Sequence, residues 1–197
     1  MNSVLLVVLG ILVLLLAWAV YLFNRLVKYK LRTDEAWSTV DVQIKRRASV
    51  IPNLVETVAG YATHERATLD SVTRARQQVE QAKGAADAGT ADTLLARALR
   101  QLFAVVEAYP DLKASTNFMQ MQKDLSDLEE KIAFARQFYN RAVLDYNTRV
   151  GTLPSSIIAA TLDFSPRVFF TADESREVPT VSFHASSESS APRASSS

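Results

Sequence analysis

An uncharged run near the N-terminus constrains this chain more than any other feature. No side chain between Asn2 and Asn24 carries a charge, and Arg25 is the first that does. Residues 3–23 read SVLLVVLGILVLLLAWAVYLF, and fifteen of these 21 are Val, Leu, Ile or Phe. A helix rising about 1.5 Å per residue makes this run roughly 32 Å long, matching a hydrocarbon core of about 30 Å. At about −0.3 to −0.6 kcal/mol apiece, its large apolar residues favour insertion by roughly 5–9 kcal/mol. Trp18 and Tyr21 lie near the C-terminal end, where amphipathic rings prefer the interface. A cleaved signal peptide competes with this reading, because Ala17-Trp18-Ala19 fits a small-x-small site. No Lys or Arg precedes the run, however, and the run continues past Ala19 to Phe23, so a retained span is expected.

The flanks give the span a direction. Residues 24–33 hold Arg25, Lys28, Lys30 and Arg32 and no acid, whereas the other flank offers only the α-amino group. The positive-inside bias then places the N-terminus outside and the following domain in the cytoplasm. These four cations are the candidate lipid-contacting residues, each able to contribute about 1 kcal/mol beside anionic headgroups. Snorkelling at a helix end accounts for them equally well. Gly10 is alone in the run, so no G-x-x-x-G face argues for self-association there.

Composition narrows the remaining choices. The absence of cysteine excludes disulfides, thiolate catalysis, Cys-based metal sites and an acylated lipoprotein N-terminus. A net charge of +1 gives no general drive toward nucleic acid. Five Gly and six Pro are few for an all-β fold and ordinary for long helices.

The patterning is helical throughout, so the expected fold is all-α: a transmembrane helix followed by an antiparallel bundle of about four long helices. The anchor occupies residues 1–24, the bundle 25–165, an extended segment 166–183 and a disordered Ser-rich tail 184–197. A first bundle helix runs from about Leu26 to Val50, continuous with the span, and Pro52 is expected to break or kink it. A second runs over about 53–83, with Leu54, Val58, Tyr61, Leu69, Val72 and Val79 near one face. The Gly- and Ala-rich stretch 83–89 reads as a turn, and Thr90 or Asp92 as the cap of a third helix reaching about Ala108. Tyr109-Pro110-Asp111 marks a loop. The sharpest period follows: Phe118, Met121, Leu125, Leu128, Ile132, Ala135, Tyr139, Ala142 and Tyr146 alternate in steps of three and four. This seam suits a bundle core or an interchain coiled coil, and three further amphipathic helices in the same chain favour the bundle. Leu153-Pro154 ends the helix, and a short helix is expected around 156–162. Arg167-Val-Phe-Phe170 and Val178-Pro-Thr-Val-Ser-Phe183 are β-prone runs too brief to stand alone.

Chemistry-bearing motifs are scarce. His64 lacks the second histidine of a zincin helix, and His184 lies in the tail. Asp124, Asp127, Glu129 and Glu130 fall off the apolar seam and lack Glu-x-x-His pairs, so they read as a solvated face. Nucleophile elbows and phosphate-binding glycine loops are absent. Lys45-Arg46-Arg47 spreads over most of a helical turn, and Asp41 is placed to pair with Lys45 four residues on. Pinning helix contacts is one role for that triplet, and meeting an acidic partner or lipid is another.

Longer motifs carry a resemblance. Asp41-Val-Gln-Ile-Lys-Arg-Arg47, Ile51-Pro-Asn-Leu-Val-Glu-Thr-Val-Ala-Gly-Tyr61 and His64-Glu65 closely resemble the signature of the LemA family. Glu107-Ala-Tyr-Pro-Asp-Leu-Lys-Ala114, Asn117-Phe118, Ala135-Arg136, Tyr139-Asn140, Tyr146-Asn147 and Val178-Pro-Thr-Val-Ser-Phe183 also match, so the resemblance covers about residues 25–183. Two positions depart: Leu153 stands where an aromatic usually precedes the proline, and Asp163 where a glycine usually precedes the phenylalanine. The resemblance implies a bacterial membrane protein with a helical-bundle domain and implies no enzymatic activity, cofactor or catalytic residue. The expectation is therefore a non-enzymatic scaffold without cofactor or metal at the bacterial cytoplasmic membrane. Its partners are the lipid bilayer, another membrane or envelope protein, or a second copy of itself, and not nucleic acid. A lipid-binding or membrane-shaping protein acting through Arg25, Lys28, Lys30 and Arg32 is the alternative.

Overall fold

The computed structural model describes residues 2–171, and these form six helices with no strand among them. The all-α expectation holds. Helix α1 (Asn2–Ala59) is a single 58-residue rod, about 87 Å long at 1.5 Å per residue. Its first half is the apolar run, which is long and apolar enough to cross a membrane and is exposed along most of its length, touched only near its C-terminal end. Its second half carries the core stripe Leu26, Ala36, Val40, Ile44, Ala48, Ile51, Leu54 and Val58, all buried. These steps of three or four, with buried Thr33 one heptad after Leu26 and three residues before Ala36, keep one face turned inward.

Pro52 does not break α1, contrary to the expectation from sequence. Proline removes one N–H, which costs the helix a bond to the carbonyl four residues back. That carbonyl belongs to Ala48, and it accepts instead from Nε of Arg76 on the neighbouring helix at 3.1 Å. The Pro52 ring itself is exposed. The break falls later, at Gly60, where the Tyr61 and Ala62 amides both turn back to the Val58 carbonyl.

Helix α2 (Arg66–Gln81) therefore starts thirteen residues after the expected position of 53, and runs back along α1 with Leu69, Val72, Ala75 and Val79 buried. The expected turn at 83–89 shrinks to two residues. Helix α3 (Gly84–Val106) begins at Gly84, whose φ of +79° suits glycine. The Gly-Ala-rich stretch is helical because its small side chains let other backbone come close: Ala88 and Ala91 are buried, and a Cβ on Gly89 would lie 2.6 Å from the Thr171 carbonyl oxygen. Thr90 and Asp92 are accordingly interior helix residues, not caps.

Helix α4 (Pro110–Lys113) is one turn with proline at its start, placed where a loop was expected, and it buries Leu112. Helix α5 (Thr116–Gly151) is 36 residues long and buries every expected seam residue except Met121, which is half-buried. It runs antiparallel to α1, as the neighbours Tyr29 with Arg149, Trp37 with Tyr139 and Arg47 with Glu129 show. Helix α6 (Ser155–Thr161) folds back onto both α1 and α5.

Asp163 adopts φ +55° immediately after α6, and the Phe164 amide bonds the Ala159 carbonyl at 2.9 Å. This is a Schellman-type helix end, whose left-handed residue is usually glycine and only sometimes Asp or Asn. Residues 164–171 then run without regular structure along α5 and α1. The second β-prone run, 178–183, and the Ser-rich tail 184–197 with His184 lie outside the described residues.

Candidate functional site

The four juxtamembrane cations occupy one level of α1 but do not converge. Arg25 turns back to the Tyr21 hydroxyl, 3.3 Å from its Nη1. Arg32 stacks over Phe138 on α5 at 5.9 Å, while Lys30 sits 5.6 Å over the ring of Phe164. Lys28 is exposed and lines a surface groove with Leu31 and Phe138. Helical geometry explains the split: Arg25, Lys28 and Arg32 are spaced by three and four, and Lys30 falls on the other side. The structure adds one cation from the far end of α5 and one from the extended segment after α6. Arg149 donates to the Tyr29 hydroxyl at 2.7 Å and lies 3.9 Å over that ring, and Arg167 pairs with Asp34 at 2.6 Å. Together they form a collar of cations and aromatic rings around α1, just beyond the apolar run. Sequence reasoning missed Arg149 and Arg167 because they reach the collar only through the antiparallel return of α5.

Above the collar, α5 grips the extended segment by its backbone. Asn147 donates from Nδ2 to the Arg167 carbonyl at 2.9 Å and accepts that residue's amide at 2.8 Å. One heptad earlier, Asn140 does the same to Phe170, at 3.0 and 2.8 Å. The preceding tyrosines add a bond each: Tyr139 donates to the Val168 carbonyl at 2.8 Å and Tyr146 to the Ser165 carbonyl at 3.1 Å. Side-chain amides thus supply what a neighbouring strand would supply to an extended chain. Burial raises both phenols above their ordinary value, opposed in part by the Arg167 charge. Phe170 is buried against Trp37, with Arg136 over its ring. The repeated Tyr-Asn dipeptide at a spacing of seven was the visible signal of this strap, but its partner could not be read from it.

Among the described residues, the buried charges are Arg47 and Asp92, which meet mid-bundle. Arg47 is 1% exposed and reaches from α1 to the Asp92 carboxylate on α3 and the Glu129 carboxylate on α5. It also donates to the Asp92 carbonyl at 3.1 Å. Burial raises the Asp92 carboxyl from its ordinary value, with Arg47 pulling the other way. Glu129 keeps its place on the expected solvated acidic face, its side chain 52% exposed beside exposed Asp124, Asp127 and Glu130, and reaches Arg47 from there. Lys45 pairs with Asp41 at 2.6 Å, as its spacing predicts. The basic triplet is therefore divided: Arg47 ties three helices together, and its neighbours face water.

His64 lies in the turn between α1 and α2, not on a helix as expected, and is exposed. Glu65 beside it accepts from the Tyr109 hydroxyl at 3.2 Å, tying this turn to the start of α4. Among the described residues no group of three or more His, Asp or Glu is arranged to hold a metal ion.

The sequence profile of the LemA family matches residues 36–183. The chain is similar to the protein LemA of Metamycoplasma hominis, 27% identical over 160 residues that cover 79% of this chain and 71% of the relative. It is also similar to the magnetosome protein MamQ 2 of Paramagnetospirillum magneticum, 27% identical over 185 residues covering 81% and 68% of the two chains. Magnetosome protein MamQ of Magnetospirillum gryphiswaldense is 25% identical over 170 residues, covering 73% of this chain and 62% of the relative.

Proposed function

The chain belongs to the LemA family, and on that premise we propose that it is a membrane-anchored, non-enzymatic scaffold that holds a helical bundle upright on the bacterial cytoplasmic membrane. The observation that carries this reading is the unbroken course of α1, whose apolar run and bundle stripe belong to one rod. A rod without a hinge leaves the bundle no tether on which to swing away from the bilayer. The N-terminus lies outside and the bundle inside the cytoplasm, since the collar at the bundle end of the run is rich in Arg and Lys.

The polar side chains support a structural rather than a catalytic role. Arg47, Asp92, Asn140 and Asn147 each bind other parts of the same chain, and although Arg47 lines a cavity of about 320 Å³ with Glu129, both are engaged there with each other. The outer surface of α5 carries exposed Phe134 and Phe138, and Leu31 of α1 joins Phe138 in a groove. Large exposed aromatics of this kind favour a protein partner, an envelope protein or a second copy.

Alkaline extraction of membranes, and capture of the full chain from detergent followed by mass spectrometry, test the proposal. The chain should stay in the membrane pellet and recover a partner whose yield falls with Phe134→Glu. Release by alkali, or turnover by the purified chain that one buried polar substitution abolishes, would overturn it. The orientation is tested by an impermeant thiol reagent on intact cells, which should label Asn2→Cys, just before the apolar run, and reach Thr90→Cys only after permeabilisation.

A further inference from the structure

We infer that α6 and its flanks form a second membrane contact, an interfacial foot that lies in the bilayer beside the span. The inference rests on the anchor reading above. Its first ground is depth. Helix α6 packs on Ala19, Val20 and Phe23, all of which lie inside the apolar run of α1, and leaves an open groove of about 420 Å³ between them. If residues 3–23 sit in hydrocarbon, α6 sits level with their last turns.

Its second ground is composition. From Gly151 to Leu162 no side chain is charged, and the nearest charges, Arg149 and Asp163, bracket the stretch. Leu153, Ile157 and Leu162 are 76%, 63% and 52% exposed, apolar side chains that contribute little to the bundle core. Their surface continues that of the exposed apolar run, so the same solvent covers both.

Its third ground is the backbone. An apolar medium requires polar groups to find partners within the chain. Ser155 Oγ donates to the Arg149 carbonyl at 2.7 Å, and the Ser156 amide bonds the Thr152 carbonyl at 2.9 Å. At the other end, Thr161 Oγ1 donates to the Ile157 carbonyl at 2.8 Å, and the Leu162 and Phe164 amides turn back to Ile158 and Ala159. The boundary with water is marked where this stretch stops. Phe164 meets Phe23 edge-on at 5.9 Å, and Lys30 covers its ring. A seven-residue helix is too short to cross a bilayer, so the foot lies about 5–10 Å below the phosphates, at the headgroup–acyl boundary.

The native chain has no cysteine, so single-cysteine labelling tests this directly on the full chain. Leu12→Cys, Leu153→Cys, Ile157→Cys and Thr90→Cys are each labelled with an environment-sensitive fluorophore and reconstituted into phosphatidylcholine–phosphatidylglycerol vesicles. The vesicles contain lipids bearing a nitroxide either near the headgroup or near the chain end. Leu12 should lose most intensity to the deep quencher, Leu153 and Ile157 to the shallow one, and Thr90 to neither. Quenching at Leu12 with Leu153 and Ile157 at the Thr90 level overturns the foot and leaves the anchor standing. No quenching at Leu12 overturns the anchor and the foot with it. Efficient disulfide formation between two Ile157→Cys chains in place of quenching assigns the face to a second copy and overturns the lipid contact.

Discussion

Nε of Arg76 on α2 donates to the Ala48 carbonyl of α1 at 3.1 Å, and Ala48 is the residue whose helical partner Pro52 removes. A buried carbonyl without a donor costs about 1–3 kcal/mol, so this contact lets the rod continue through a proline that otherwise disfavours it. Arg76→Met should lower the stability of the full chain by about that amount. In a Pro52→Ala background the Ala48 carbonyl regains its amide, and the cost of Arg76→Met should shrink. The double-mutant cycle, read by denaturant unfolding in detergent, is expected to show coupling of about 0.5–3 kcal/mol. An equal cost in both backgrounds would mean that Arg76 acts through Glu80 alone, its exposed partner at 2.7 Å.

The strap on α5 makes a prediction at single amides. Asn140→Asp and Asn147→Asp keep the acceptor but lose the donor and add a charge beside a carbonyl. Each should speed hydrogen exchange at its own segment, the first at Phe170 and the second at Arg167, more than elsewhere. Gly89→Ala should loosen the same strap from the other side, because its Cβ meets the Thr171 carbonyl. Uniform loss of protection across the bundle would show instead that the strap does not open on its own.

The tyrosines of the strap give a pH dependence. Both phenols are raised by burial from an ordinary value of 10.0, so the folded chain holds these protons more tightly than the unfolded chain. The stability they contribute is complete below that value and falls as pH rises above it. Unfolding midpoints measured from about pH 9 to pH 11 should therefore decline, and the decline should be shallower in Tyr139→Phe and Tyr146→Phe. An identical slope in the variants would remove the phenols from the explanation.

The Arg47 cluster predicts an asymmetry. Arg47→Met strands the buried Asp92 carboxylate and should cost about 3–5 kcal/mol. Adding Asp92→Leu removes the stranded charge, so the double variant should be more stable than the single one. If the two changes are instead additive, the charges are not coupled in the way their contact implies.

Much of this architecture was written locally. The apolar run, the seam of α5 and the Asp41–Lys45 pair follow from composition and spacing, because each is a property of one continuous helix. The long motifs also carried the family. The errors share a cause. Pro52 was expected to break or kink a helix, and 83–89 to form a turn, on intrinsic preferences that a partner elsewhere overrides: Arg76 in one case, close packing of small residues in the other. Glu129 faces water as expected, but its own helix gave no sign that it also pairs with Arg47.

The sequence by itself thus determined a single long apolar rod, an all-helical bundle with no cysteine chemistry, and a level at which positive charge begins. Only the tertiary structure decided where α1 ends, which cations form the collar, how an extended segment is held, and that α6 lies beside the last turns of the apolar run. The physical reason is separation along the chain. Hydrophobic periodicity is set by neighbours three and four residues apart, whereas an orphaned carbonyl, a buried guanidinium or an unpaired strap is satisfied by groups from 19 to 82 residues away.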